Sequence, residues 1–264
     1  MPSVDAMNTR EELIQAHVIH EFDRALAVQN ITGCYGELSK QLYRSLLDQV
    51  RGRRILDVGC GLGLFGQVCV EQGFQVHSID IDEYSLQIAR ELFGPAYFQE
   101  SVYATSLPDG AIDTAVLSDV VCHLDLDLLV QELDRLGVNR IVIHDSNLRN
   151  PFLRTYRKAT GHRERHDFLE EELVVEMRDR GFDLHHKYYC NILALPLSGG
   201  LQRKPVATIG RLPRVLSVLD RLANGVAHLV GLQRRLCFRF VLILDRTEQR
   251  SMASNQAAMP GSRE

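Results

Sequence analysis

The chain has 264 residues, enough for one large domain, or a domain with an appended subdomain, around a substantial core. It is 45% hydrophobic and 24% charged, which is ordinary globular usage and excludes low-complexity and fibrous classes. A net charge of −4 argues against nucleic acid as the main partner, and no run of about 18 apolar residues exists to span a bilayer.

Residues 10–29 and 36–51 read as amphipathic helices, with "NITGCYG" (30–36) as the turn between them. Alternating elements follow. "RRILDVG" (53–59), "QVHSIDI" (75–81), "AYFQES" (96–101), "IDTAVLSD" (112–119) and "NRIVIHDS" (139–146) read as strands. Helices are expected at 63–73, 83–94 and 125–136. Strands alternating with helices of this length imply parallel βαβ units and a doubly wound α/β sheet. A helix at 167–180 comes next, then two late strands at 186–195 and 237–246. Between the late strands, Leu212, Val215, Leu216, Leu219, Leu222, Val226 and Leu229 form one helical stripe. Residues 247–264 are polar and read as a disordered tail.

Six cysteines (Cys34, Cys60, Cys69, Cys122, Cys190 and Cys237) form no C-x-x-C pair, so free thiols in a reducing compartment are expected rather than zinc or disulfides. The first thirty residues are too charged for a signal peptide, and a cytoplasmic location is expected.

The loop "ILDVGCGLGLFGQV" (55–68) answers to two fingerprints. Gly59, Gly61 and Gly63 fit the G-x-G-x-G of S-adenosylmethionine (SAM) enzymes, while Gly61, Gly63 and Gly66 fit the G-x-G-x-x-G of NAD enzymes. Asp80, at the end of the second strand, suits the ribose of either cofactor. Asp57 separates the two readings. A carboxylate just before the turn repels a pyrophosphate and attracts a sulfonium or ammonium. In the NAD reading the chain is an oxidoreductase.

These residues resemble the class I SAM-dependent methyltransferases of the small-molecule type, such as those of ubiquinone and menaquinone synthesis. The resemblance runs over roughly residues 36–246 and rests on "LDVGCGLG" (56–63), Asp80 and "LPDGAIDTAVLSDVVCHL" (107–124). It implies a Rossmann-like seven-stranded sheet with N-terminal helices and a helical insertion before the last strand. The expected organisation is a helical cap at 1–51, a SAM-binding core at 52–195, a helical lid at 196–236, the last core strand at 237–246 and the tail.

By the same resemblance, Asp57, Gly59, Cys60 and Gly61 line the methionine end, Asp80 holds the ribose and Ile81 packs on adenine. Ser118 or Asp119 lies beneath the sulfonium. Tyr103 and Ala104 fall at the adenine site, where relatives carry an acidic residue before the alanine. Adenine would there be held by backbone groups and by Tyr103 itself.

Methyl transfer draws mainly on alignment, so a catalytic base need not be conspicuous. The candidates are His123, after the fourth strand, and His144 and Asp145, ending the fifth. Each histidine also fits a plain packing role. Adjacent strand residues face opposite ways, so His144 and Asp145 are not expected to pair. His20 on the first helix is a weaker candidate for covering the cofactor. His162 and His166 in "GHRERHD" have ligand spacing, but Arg163 and Arg165 beside them disfavour a cation, and no metal is expected.

Basic residues cluster late in the chain. Arg149, Arg154, Arg157, Lys158, Arg163 and Arg165 face only Glu164. Arg203, Lys204, Arg211, Arg214, Arg221, Arg234, Arg235 and Arg239 face only Asp220. The readings are a solvated face, a hydrophobic or anionic small-molecule acceptor, or peripheral contact with an anionic membrane. A methyltransferase acting on a small hydrophobic or amphiphilic acceptor, preferably at oxygen, is the expected function. A non-catalytic SAM-binding protein is the further alternative. Nucleic-acid methylation is disfavoured, because "SDVVCHL" stands where an N-P-P-Y-like motif would follow the fourth strand.

Overall fold

Short apolar runs ended by glycine or aspartate set the elements. The computed structural model describes residues 23–160, 168–201 and 203–247. Five strands lie parallel: β1 (Arg54–Val58), β2 (Gln75–Asp80), β3 (Tyr97–Gln99), β4 (Thr114–Ser118) and β5 (Arg140–Ser146). β6 (Phe182–Cys190) and β7 (Arg239–Arg246) complete the sheet, with β7 antiparallel to both β5 and β6. The order β3-β2-β1-β4-β5-β7-β6 reverses between β1 and β4, which opens a crevice at the C-terminal strand ends. The expected doubly wound, seven-stranded sheet is therefore present.

Period-two alternation along the strands divides the core. Leu56, Leu117 and Ile141 face one side with Leu133 and Phe182; Ile55, Val116 and Val142 face the other with Leu46 and Phe65. Helices α1 (Arg24–Thr32) and α2 (Cys34–Leu47) precede the sheet, and α3 (Leu64–Glu71), α4 (Glu83–Phe93) and α5 (Leu126–Arg135) connect its parallel strands. Asp82 and Asp125 cap α4 and α5, each accepting two backbone amides of the first turn. α6 (Pro151–Thr160), α7 (Glu170–Asp179), α8 (Ala194–Ser198), α9 (Pro213–Leu229) and α10 (Gln233–Leu236) follow β5. The last three lie in the insertion before β7.

Several boundaries differ from expectation. The turn expected at 30–36 shrinks to Gly33, and α1 continues through Thr32. Gly36 explains the tight junction: a Cβ there would lie 1.7 Å from the Ile31 carbonyl oxygen, so only glycine lets α2 pass so close to α1. The late strand expected at 186–195 begins earlier, at Phe182, and ends at Cys190. Asn191, at φ +63°, turns the chain toward α8. The apolar stripe of α9 is split: Leu216 is buried, whereas Val215, Leu222, Val226 and Leu229 are exposed. The reason is Asp220. Its carboxylate turns inward and accepts the backbone amides of Leu193 (2.5 Å) and Ala194 (2.8 Å) at the start of α8, which fixes the rotation of α9. Residues 1–22, with His20, the segment 161–167, with His162 and His166, and the expected tail beyond Thr247 lie outside the described residues.

Candidate active site

The crevice holds a cavity of about 590 Å³ whose lining includes Asp57, Val58, Gly59, Cys60, Gly61, Asp80, Ile81, Tyr103, Ser118, Asp119 and His123. Its floor begins in the loop after β1. Gly59 (φ +66°), Gly61 (φ +50°) and Gly63 (φ +80°) are all left-handed, which is why glycine recurs at alternate positions. Three of the loop amides are already engaged. Cys60 N–H donates to the Ile79 carbonyl (2.9 Å), Gly61 N–H to Asp80 Oδ2 (2.8 Å) and Gly63 N–H to the Cys60 carbonyl (2.9 Å). Asp80 Oδ1 accepts from Asp82 N–H at 2.9 Å, so β2 ends on a carboxylate tied to the loop from both sides.

Asp57 is 2% exposed and accepts from the Ser78 hydroxyl at 3.0 Å and from the Gly66 amide in the first turn of α3. Burial pushes its carboxyl up to about 7; nearby Asp80 adds to the rise, and the Ser78 and Gly66 donors oppose it. Burial likewise raises Asp80, against the amides of Asp82 and Gly61. Neither carboxylate pairs with a cationic side chain among the described residues. Gly66, the third glycine of the dinucleotide fingerprint, serves packing: a Cβ there would meet Ser78 Oγ at 2.4 Å.

At the end of β4, Ser118 Oγ lies 2.9 Å from His144 Nδ1 and also shares a hydrogen bond with the Tyr43 hydroxyl. His144 is buried behind Ser118, outside the cavity lining, and burial depresses it to about 4, so it is neutral at physiological pH. Asp119, at φ +55°, pairs with Arg239 of β7 at 2.8 Å, and Arg239 also donates to Ser146. Asp145 points to the opposite face of β5, beside Val121, Cys122 and Phe240. His144 and Asp145 are thus separated by the sheet, as strand alternation requires, and of the three candidate bases His123 alone lines the cavity.

Tyr103 presents its ring to the cavity, while its hydroxyl accepts the Asp125 amide at 2.9 Å. Ala104 is exposed and outside the lining. Sequence reasoning named none of the residues that form the roof and the far wall. Ile31, Tyr35, Tyr43 and Leu201 cover the cavity, with Glu100, Ser101 and Val102 at its side. The signal for the roof was the i, i+4, i+8 series Tyr35, Ser39 and Tyr43, which puts two tyrosines on one face of α2.

The reversed strand order, the left-handed glycine loop and the acid ending β2 together define the class I SAM-dependent methyltransferase fold. Comparison with known proteins agrees: residues 56–138 match a family model described as a methyltransferase domain. A stretch of 43 residues is 46% identical to a ubiquinone biosynthesis O-methyltransferase of Idiomarina loihiensis, covering 16% of this chain and 18% of that protein. The matched stretches span about one fifth of the length of the curated relatives first found, between 18% and 20%. Among solved structures, a SAM-dependent methyltransferase from Archaeoglobus fulgidus superposes with a TM-score of 0.56 at 22% identity, over 80% of this chain and 94% of that one. The [4+2]-cyclase SpnF superposes with a TM-score of 0.52 at 16% identity, over 79% of this chain and 82% of that one.

Proposed function

We propose that this chain is a SAM-dependent methyltransferase acting on a small hydrophobic or amphiphilic acceptor, with oxygen as the favoured methyl acceptor. The observation that carries the reading is the electrostatic character of the glycine loop. Asp57 and Asp80 face one cavity without a cationic partner among the described residues, and the amides of Cys60, Gly61 and Gly63 are already bonded within the fold. A pyrophosphate needs free amide donors at such a turn and would be repelled by Asp57. A cofactor with cationic groups is attracted there. A similar fold alone does not choose the reaction, since one similar structure is described as a cyclase; the charge of the loop is therefore the deciding feature.

SAM, when bound, supplies a methyl group on a positively charged sulfur. Asp57 would hold the cationic end, and burial would strengthen its attraction. Asp80 retains acceptor capacity for ribose hydroxyls, because two ionised oxygens offer about four lone-pair sites and two are used. Ile81, Val102 and the Tyr103 ring provide an apolar slot for adenine. His123 is the candidate base for an acceptor hydroxyl. The apolar roof of Ile31, Tyr35, Tyr43 and Leu201 supports a hydrophobic acceptor and excludes water, and the short match to an O-methyltransferase supports oxygen as the acceptor atom.

Calorimetric titration with SAM, S-adenosylhomocysteine and NAD tests the cofactor. Saturable binding of the first two without NAD binding is expected; NAD binding without a response to SAM overturns the reading. Labelled methyl transfer to a panel of phenolic and aliphatic alcohols then tests the acceptor class.

A further inference from the structure

α9 carries its apolar residues on the side turned away from the protein. Leu216, Asp220 and Ala227 define the buried face. On the opposite side, Val215, Val218, Leu222, Val226 and Leu229 follow one another at intervals of three and four residues, and they are 47%, 46%, 62%, 61% and 84% exposed. Five aliphatic side chains therefore form a continuous stripe along most of the helix, and Val230 and Leu232 extend it past the helix end, also exposed.

The residues beside this stripe are basic. Arg214 and Arg221 run along one edge, and Arg211 and Arg235 flank the two ends. All four are exposed, and none makes an ion pair among the described residues. The one acid of the helix, Asp220, is buried and committed to the start of α8. A chain with a net charge of −4 thus presents here a surface that is apolar and purely cationic.

Contiguous exposed apolar surface of this kind marks an interaction site. The nature of the stripe selects the partner. It is aliphatic and has no aromatic anchor of the sort that dominates protein interfaces. Its flanking charges are all of one sign, so a second copy of the same helix would bring arginine against arginine. A partner that accepts aliphatic side chains and attracts guanidinium groups together is the boundary between acyl chains and anionic headgroups.

We propose that α9 is a peripheral membrane-docking helix that seats this stripe in the interface of an anionic bilayer. The inference stands on the surface of α9 and is independent of the cofactor. It also gives the insertion before β7 a task, which is to bring the cavity close to a source of hydrophobic acceptor.

The test is co-sedimentation of the full chain with vesicles of phosphatidylcholine alone or with phosphatidylglycerol added. Binding to the anionic vesicles, weak binding to the neutral ones and release by high salt are expected. Leu222→Ser with Val226→Ser should weaken the partition about tenfold or more through lost apolar contact. Arg214→Glu with Arg221→Glu should abolish the preference for anionic lipid. All these side chains are solvent-exposed, so thermal unfolding of the variants should match the parent and separate lost docking from lost folding. The proposal is overturned if the parent fails to bind anionic vesicles at low salt, or if both double variants bind as the parent does. It is also overturned if light scattering shows a stable dimer that the Leu222→Ser, Val226→Ser variant dissociates. SAM titration of the same preparations reports separately on the cofactor reading.

Discussion

In the proposed reading Asp57 is the residue on which cofactor choice turns, and its titration is measurable. Its folded carboxyl sits at about 7, above the ordinary 3.8, so between those values the folded chain holds a proton that the unfolded chain releases. Stability from this group is therefore lost as pH rises across that window. The melting temperature of Asp57→Asn should gain on the parent from pH 4 to pH 7. SAM affinity should do the opposite. The cationic ligand favours the ionised carboxylate, so affinity should rise through a pH of about 7 in the parent and stay flat in Asp57→Asn, as calorimetry would show. His123 offers a second test: in the O-methylation reading, His123→Ala should lower kcat by about 10²–10⁴ with little change in KM for SAM. The placement of Asp57 and Asp80 in the crevice was legible in the sequence, because charge and position suffice to place an acid at a strand end. The location of His144 behind Ser118 was not. Alternation excludes pairing with Asp145, but it does not say which of the two residues lies behind Ser118.

At the level of elements, α3 is held against β1 and β2 by the absence of a side chain at Gly66. Gly66→Ala would force Ser78 Oγ, 2.4 Å from the new methyl, to turn away from Asp57. SAM affinity should fall roughly tenfold, in keeping with the loss of a hydrogen bond to a charged group. The parallel half of the fold was readable because strands and helices alternate with period-two and helical patterns between clear turn signals. The second half was less so. The start of β6 is hidden in "FDLHHKYYC", where polar residues fill one face of an edge strand, and the rotation of α9 depends on a contact between Asp220 and residues 193–194 that hydrophobic periodicity cannot foresee. A stripe that spacing alone leaves free to face the sheet, an acceptor pocket or lipid is turned outward by one carboxylate.

Across the whole molecule, β7 enters the sheet between β5 and β6 after the helical insertion, so sheet closure depends on a distant part of the chain. Arg140 of β5 and Asp245 of β7 clamp the two strands together with paired bonds of 2.7 and 2.9 Å, and Arg140 also donates to the Gln49 carbonyl at 2.8 Å. Asp245→Asn leaves a buried guanidinium uncompensated and should cost about 3 kcal/mol. Because the chain has no tryptophan, circular dichroism during urea unfolding is the suitable measurement. The roof over the cavity is a looser assembly. α1 rests on a small cluster of Ala27, Ile31, Leu62 and Ile88, and its Asn30 side-chain amide donates to the carbonyls of Leu201 (3.1 Å) and Arg203 (2.9 Å), across 171 and 173 residues of sequence. A single amide group therefore fastens two stretches that leave the ribosome far apart in time. Ile31, Tyr35 and Tyr43 precede the sheet, so the roof is completed at Leu201 only once the insertion has been synthesised. With those two bonds removed from the roof, Asn30→Ala should raise the association and dissociation rates of SAM together in stopped-flow experiments, while the sheet beneath stays intact.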